Sequence, residues 1–234
     1  MTTFKDRLAV VQERIEAACR RANRAPGEVK LMAVSKTHPA QAIREAAAAG
    51  LTLFGENRVQ EFEAKRGDLP SGVEVHLIGH LQSNKAAKAA ATFAAIDTVD
   101  SLRLLERLNE AAKQVGRRLP VLLEIRLSSE GTKTGFDPAR VDLQQVLERV
   151  PSLHHVEMRG LMTIAPLDEN PETARACFRG LRSLRDELAR KHSGIDLREL
   201  SMGMSGDFEI AIEEGSTLVR IGTALFGPRE RSAD

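Results

Sequence analysis

Lys36 directly follows an apolar run, Val29-Lys-Leu-Met-Ala-Val-Ser35. A lysine at the end of a buried strand is partly stripped of water. That lowers its proton affinity, and the free amine can add to an aldehyde to form an imine. A solvated strand-end lysine is the ordinary alternative, and position alone favours it. Arg220 near the end of a second run, Ser216 to Ile221, shifts the balance. Two cations brought to one mouth repel unless an anion lies between them. Gly222 and Thr223 follow Arg220. They offer close backbone approach, a hydroxyl, and an amide at a helix start, which are the donors a phosphate takes. Ser201 and Ser205 flank Gly203 and add two more hydroxyls. Each loop taken singly reads as ordinary turn chemistry, but together they outline a site for a phosphorylated aldehyde.

Other motifs carry less. Gly79-His-Leu-Gln-Ser-Asn-Lys85-Ala86 echoes a phosphate-binding loop, but Asn84 replaces the second glycine and Ala86 the final hydroxyl. His154 and His155 are adjacent, so their side chains diverge and make a poor metal pair. His80 suits a structural hydrogen bond as well as a ligand contact. Lys133 reads as a mobile surface lysine. Cys19 and Cys177 are far apart and sit on apolar helix faces, as buried free thiols do.

The elements that must position these residues alternate. A helix is expected over 3–23. Strands are expected over 29–35, 51–54, 74–78, 95–99, 120–127, 159–164, 197–202 and 216–221. Helices open near Thr37-His38-Pro39, at Asp137-Pro138 and at Asn170-Pro171, and a short one spans 207–214. In the helix after Ser101, the residues Leu102, Leu105, Leu108, Ala112 and Val115 should face inward. Eight strand–helix units after an extra N-terminal helix predict a single (β/α)8 TIM-type barrel, with an open doubly wound sheet as the runner-up. No linker divides residues 1–234, so one domain is the simplest account. In parallel α/β folds the site lies beyond the C-terminal strand ends, which is where Lys36 and Arg220 fall.

Lys plus Arg number 34 and Asp plus Glu 33, for a net charge of +1. That balance argues against nucleic acid as a partner. No apolar run is long enough for a membrane span. The N-terminus opens an amphipathic helix rather than a signal peptide, so a cytoplasmic protein is expected. No oligomer-forming helix stands out, and a monomer is expected.

The motifs Ala33-Val-Ser-Lys36-Thr, Phe54-Gly-Glu-Asn57-Arg-Val-Gln-Glu61, His76-Leu-Ile-Gly-His-Leu-Gln-Ser-Asn-Lys85, Gly160-Leu-Met-Thr-Ile, Ser201-Met-Gly-Met-Ser205 and Val219-Arg-Ile-Gly-Thr-Ala-Leu-Phe-Gly227 stand in the order of the pyridoxal phosphate homeostasis protein family. The resemblance runs from about residue 5 to 229, and the family resembles the barrel domain of alanine racemase. It implies pyridoxal 5′-phosphate (PLP) as cofactor, held as a Schiff base on Lys36, with Arg220 facing the pyridine nitrogen. It further implies Ser201, Gly222 and Thr223 around the phosphate, Asn57 near the ring, and Ser205 among the binding residues. The chain departs from the family pattern at Arg58 and at Ile125-Arg126-Leu127.

An arginine opposite the pyridine nitrogen leaves that nitrogen neutral, which weakens carbanion stabilisation. Racemases of this fold add a tyrosine as second base, and this sequence has no tyrosine. The chain also ends soon after the eighth strand, where a racemase continues. A PLP carrier without committed turnover is therefore expected, with apo PLP-dependent enzymes as candidate recipients. A racemase-like PLP enzyme is the alternative, and a cofactor-free sugar-phosphate enzyme using a Lys36 imine is a third reading.

Overall fold

The structure is a computed structural model that describes residues 2–127 and 134–227. Strands β1 (Lys30–Val34), β2 (Leu53–Glu56), β3 (Glu74–Leu77), β4 (Ala95–Val99), β5 (Leu119–Glu124), β6 (Val156–Met162), β7 (Glu199–Ser201) and β8 (Leu218–Ile221) form a closed barrel in sequence order. The described helices are α1 (Phe4–Arg21), α2 (Ala40–Ala48), α3 (Val59–Lys65), α4 (Ala86–Thr92), α5 (Leu102–Gln114), α6 (Val141–Arg149), α7 (Pro171–Lys191), α8 (Phe208–Glu213) and α9 (Thr223–Phe226). All eight pairings are parallel, including β8 with β1, which closes the ring. The (β/α)8 barrel expected from strand–helix alternation is the observed fold, with α1 as the extra element. No described helix is long and apolar enough to cross a membrane.

Alternation along each strand sorts side chains between two layers. Ala33, Phe54, Val75, Leu123, Leu161, Leu200, Val219 and Ile221 face the helices and share a core with Ile43, Phe93, Leu105, Phe178 and Phe208. Their neighbours Met32, Gly55, His76, Asp97, Glu124, Met162, Ser201 and Arg220 alternate to the barrel interior, and all are buried. Thr3 opens α1 with a capping box shared with Asp6. The helix packs along α8 through Arg14–Glu209 at 2.7 Å and meets α9 through Arg7 Nε, which donates to the Leu225 carbonyl at 2.5 Å.

Several boundaries differ from expectation for identifiable reasons. The strand expected over 51–54 begins and ends two residues later, so Gly55 and Glu56 belong to β2. Hydropathy does not place a carboxylate in a buried strand; Glu56 sits there because it has an ion partner (below). The helix expected from Asp137-Pro138 begins at Val141. Phe136 instead bridges to Ile125, and the Arg140 amide closes a turn on the Asp137 carbonyl. Val115, expected to face inward, is the C-cap of α5 and is 46% exposed. Both cysteines are buried free thiols, as expected from their helix faces.

Candidate functional site

Register puts Arg220 on β8 beside β1, the strand that leads into Lys36. Met32, four residues before Lys36, pairs with Arg220, and Gly222 packs against Val34 with its Cβ position 3.5 Å from the Val34 side chain. Arg220 is 4% exposed. Its Nη1 donates to Ser201 Oγ at 2.8 Å and its Nη2 to the Thr163 carbonyl at 2.9 Å. Burial pushes the guanidinium pKa down, while Asp97, Asp207 and Glu124 act in the opposite direction. An arginine so surrounded keeps its proton.

The barrel interior is more polar than the sequence suggested. Burial raises the pKa of Glu124 despite its hydrogen bond from Thr134 at 3.0 Å. Past the end of β7, burial also raises the pKa of Asp207, the half-buried N-cap of α8, against a bond from the Met204 amide. His76 Nδ1 lies 3.1 Å from Asp97 Oδ1; burial disfavours its charged form, but Asp97, together with Glu199 and Glu74, lifts its pKa. Asp97, Glu124 and His76 escaped the sequence reading because each sits among apolar strand neighbours with no motif of its own, and Thr163 because it lies just past β6. Only the register of opposite strands shows that they share a space.

The loop after β7 is shaped by Gly203. Its φ is +96°, its carbonyl accepts from the Arg220 amide at 3.0 Å, and a Cβ there would lie 2.6 Å from that of Ala211. Ser205 Oγ accepts from the Ala224 amide at 3.3 Å, tying this loop to the start of α9. Ser205 and Gly222 are half-buried and Thr223 is exposed. Gly203→Ala adds both a left-handed alanine and a clash. We expect it to cost about 1–3 kcal/mol, read by urea denaturation; a loss below about 0.5 kcal/mol would show that the loop yields freely.

Lys36 lies in a turn rather than in β1 itself. The Ser35 amide continues the ladder to the Gly55 carbonyl at 3.0 Å, and the His38 amide then closes on the Ser35 carbonyl at 3.1 Å. Lys36 is half-buried at the second turn position, and Thr37 at the third has φ +66°. A β-branched residue there is strained. Asn57, half-buried, follows β2, and Gly79 presses on it so closely that a Cβ would lie 2.2 Å from the Asn57 carbonyl oxygen.

His80 Nδ1 lies 3.0 Å from Asp100 Oδ2, on the wall of a cleft of about 640 Å³ shared with Gln82, Ser83, Arg103 and Thr134. This cleft lies past the ends of β3 and β4, on the mouth side. A second cleft of about 600 Å³, with Val156, Met158 and Ile195, lies at the strand starts, away from Lys36. Among the described residues no three His, Cys, Asp or Glu side chains group to hold a metal. Lys133 lies outside the described residues.

The donor set suits one kind of ligand. A lysine amine stands beside a strand whose neighbour carries a buried arginine, and hydroxyls and amides of two glycine-bearing loops border the same end. That chemistry fits an aldehyde bearing a phosphate.

Fold and site together define an α/β barrel of the alanine racemase type, and the family model described as alanine racemase, N-terminal domain, matches residues 8–230. Proteins named pyridoxal phosphate homeostasis protein are 45% identical over 226 residues in Aquifex aeolicus (96% of this chain, 98% of that one) and 43% identical in Pseudomonas aeruginosa (100% and 99%). The chain belongs to the pyridoxal phosphate homeostasis protein family. Among solved structures, PipY of Synechococcus elongatus superposes with a TM-score of 0.86 without PLP (43% identity) and 0.85 with PLP bound (44%). In each case the match covers 96% of this chain and all of that one. Alanine racemase of Clostridium difficile, 20% identical at TM-score 0.72, covers 97% of this chain but 58% of its own, and shares the fold.

Proposed function

We propose that this chain, as one domain and as a monomer, binds PLP and serves its intracellular homeostasis or carriage. The observation that carries the reading is the meeting of the Lys36 turn with Arg220 and the Gly222-Thr223 loop at adjoining ends of β1 and β8. Support also comes from the relatives' name and from the PLP-bound PipY structure.

Bound PLP supplies an electrophilic aldehyde carbon and an electron-withdrawing ring. The chain's own residues do the rest. Lys36 would hold the cofactor through its aldehyde, as a Schiff base. Arg220, held by Ser201 and Thr163, would set a fixed positive charge at the pyridine end of the ring and so disfavour protonation of its nitrogen. Gly222, Thr223 and Ser205 would hold the phosphate, and Asn57 would lie beside the ring. With no tyrosine in the sequence, the two-base proton relay of a racemase lacks its usual second member. The protein therefore holds and releases PLP, with apo PLP-dependent enzymes as the recipients.

Titration with PLP should produce a visible imine band. Amino acids incubated with the loaded protein in deuterium oxide should keep their α-hydrogen. No band on titration would sink the PLP reading, and rapid α-exchange would replace carriage by a racemase-like activity.

A further inference from the structure

Beneath Lys36 lies a buried ion pair that the proposed site leaves unused. Glu56 is fully buried, the Lys65 side chain is 11% exposed, and their charged atoms are 2.7 Å apart. Lys65 is the last residue of α3, and its ammonium has three N–H donors. Three acceptors surround it: Glu56 Oε1, the His38 carbonyl at 2.9 Å and the Ser35 carbonyl at 3.2 Å. Glu56 Oε1 also accepts from Ser35 Oγ at 2.6 Å, while its Oε2 is buried without a hydrogen-bond partner.

Such a pair is a costly way to hold a helix on a barrel. Desolvating both charges offsets much of their attraction, and apolar residues of similar volume often serve stability as well or better. What apolar residues do not supply is a fixed geometry for two particular carbonyls. Those carbonyls belong to Ser35 and His38, the two ends of the turn that carries Lys36. The turn needs holding, because Thr37 occupies a conformation that β-branched residues avoid. From the other side the His38 ring stacks on Phe226 at 4.8 Å and 28°. Phe226 ends α9, the helix that Thr223 begins. The turn is thus gripped between α3 and the segment that carries the phosphate-facing donors.

We propose that Lys65 and Glu56 are positioning residues, which fix the Ser35–His38 turn and so aim the Lys36 amine at its aldehyde. The inference rests on the reading of Lys36 as the imine lysine. Lys65→Met alone strands a buried carboxylate, so the test variant is Lys65→Met combined with Glu56→Gln. Glu56→Gln alone keeps a hydrogen-bonding isostere and serves if the double variant fails to fold.

Two ligands separate aiming from general damage. PLP can form the imine, whereas pyridoxine 5′-phosphate has the same ring and phosphate but no aldehyde. The folded variant should bind PLP at least about tenfold more weakly, within the range that small misplacements cost, with pyridoxine phosphate affinity unchanged. In the ligand-free protein, the rate at which trinitrobenzenesulfonate labels Lys36, read by peptide mass spectrometry, should change with it. Unaltered PLP preference and labelling in a folded variant overturn the proposal. Equal loss for both ligands also overturns it, since the pair would then serve the fold alone. If wild type itself does not prefer PLP over pyridoxine phosphate, the imine reading is what fails, and the labelling rate still decides whether the pair governs Lys36.

Discussion

Lys36→Ala should leave a folded protein that borohydride can no longer mark. In the wild type, reduction of the PLP-loaded protein is expected to fix a pyridoxyl group on the peptide containing Lys36 and to bleach the visible band. The alanine variant should show neither. The turn keeps anchors of its own, since Lys65 donates to the Ser35 and His38 carbonyls and the Ser35 hydroxyl donates to Glu56. A melting temperature measured beside the wild type separates chemistry from folding. Binding should not vanish. Arg220, Ser205 and the Gly222-Thr223 loop remain, so PLP is expected to bind non-covalently, weaker by about a hundredfold, the scale on which a well-placed reacting group favours its reaction. A variant that still took the same label would assign the imine to another amine and remove the central residue of the proposed site.

The fold was legible because its signals are periodic. Buried strands read as apolar runs and their helices as 3.6-residue patterns, so eight alternating units pointed to a closed barrel. Lys36, Ser201, Ser205, Arg220, Gly222 and Thr223 stood out because strand ends in such folds face a common mouth. The interior did not stand out. Asp97, Glu124 and His76 sit among apolar strand neighbours, and the effect of Asp97 and Glu124 on Arg220 follows from the closure of the ring, which brings β4, β5 and β8 around one axis. Lys65 was invisible for a related reason. At the end of a charged helix it looks like any solvated lysine, and only the backbone path of residues 35–38 turns it into a three-point anchor. Hydropathy also misplaced β2, since Glu56 is buried by virtue of Lys65.

That polar interior sets the second large effect. Arg220→Leu fills much of the same volume but leaves Ser201 Oγ and the Thr163 carbonyl without their donor, and strips Asp97, Asp207 and Glu124 of their cation. Breaking a buried charge cluster from one side costs about 3–5 kcal/mol, and that loss is expected in urea denaturation at neutral pH. Its pH dependence has a definite sign. Burial already raises the carboxyls of Glu124 and Asp207 above their ordinary range. Without the cation they rise further, so the folded variant binds more protons than the unfolded chain between the unfolded pKa, near 4, and the new folded value. Stability therefore increases as pH falls through that window, and the deficit relative to wild type should shrink towards about pH 5. Arg220→Lys keeps the charge without the planar fork and should lose less. A constant deficit across pH would mean that the arginine is held for its shape and hydrogen bonds. A deficit that narrows in acid would mean that its charge neutralises the barrel interior, the same charge that the bound ring would meet.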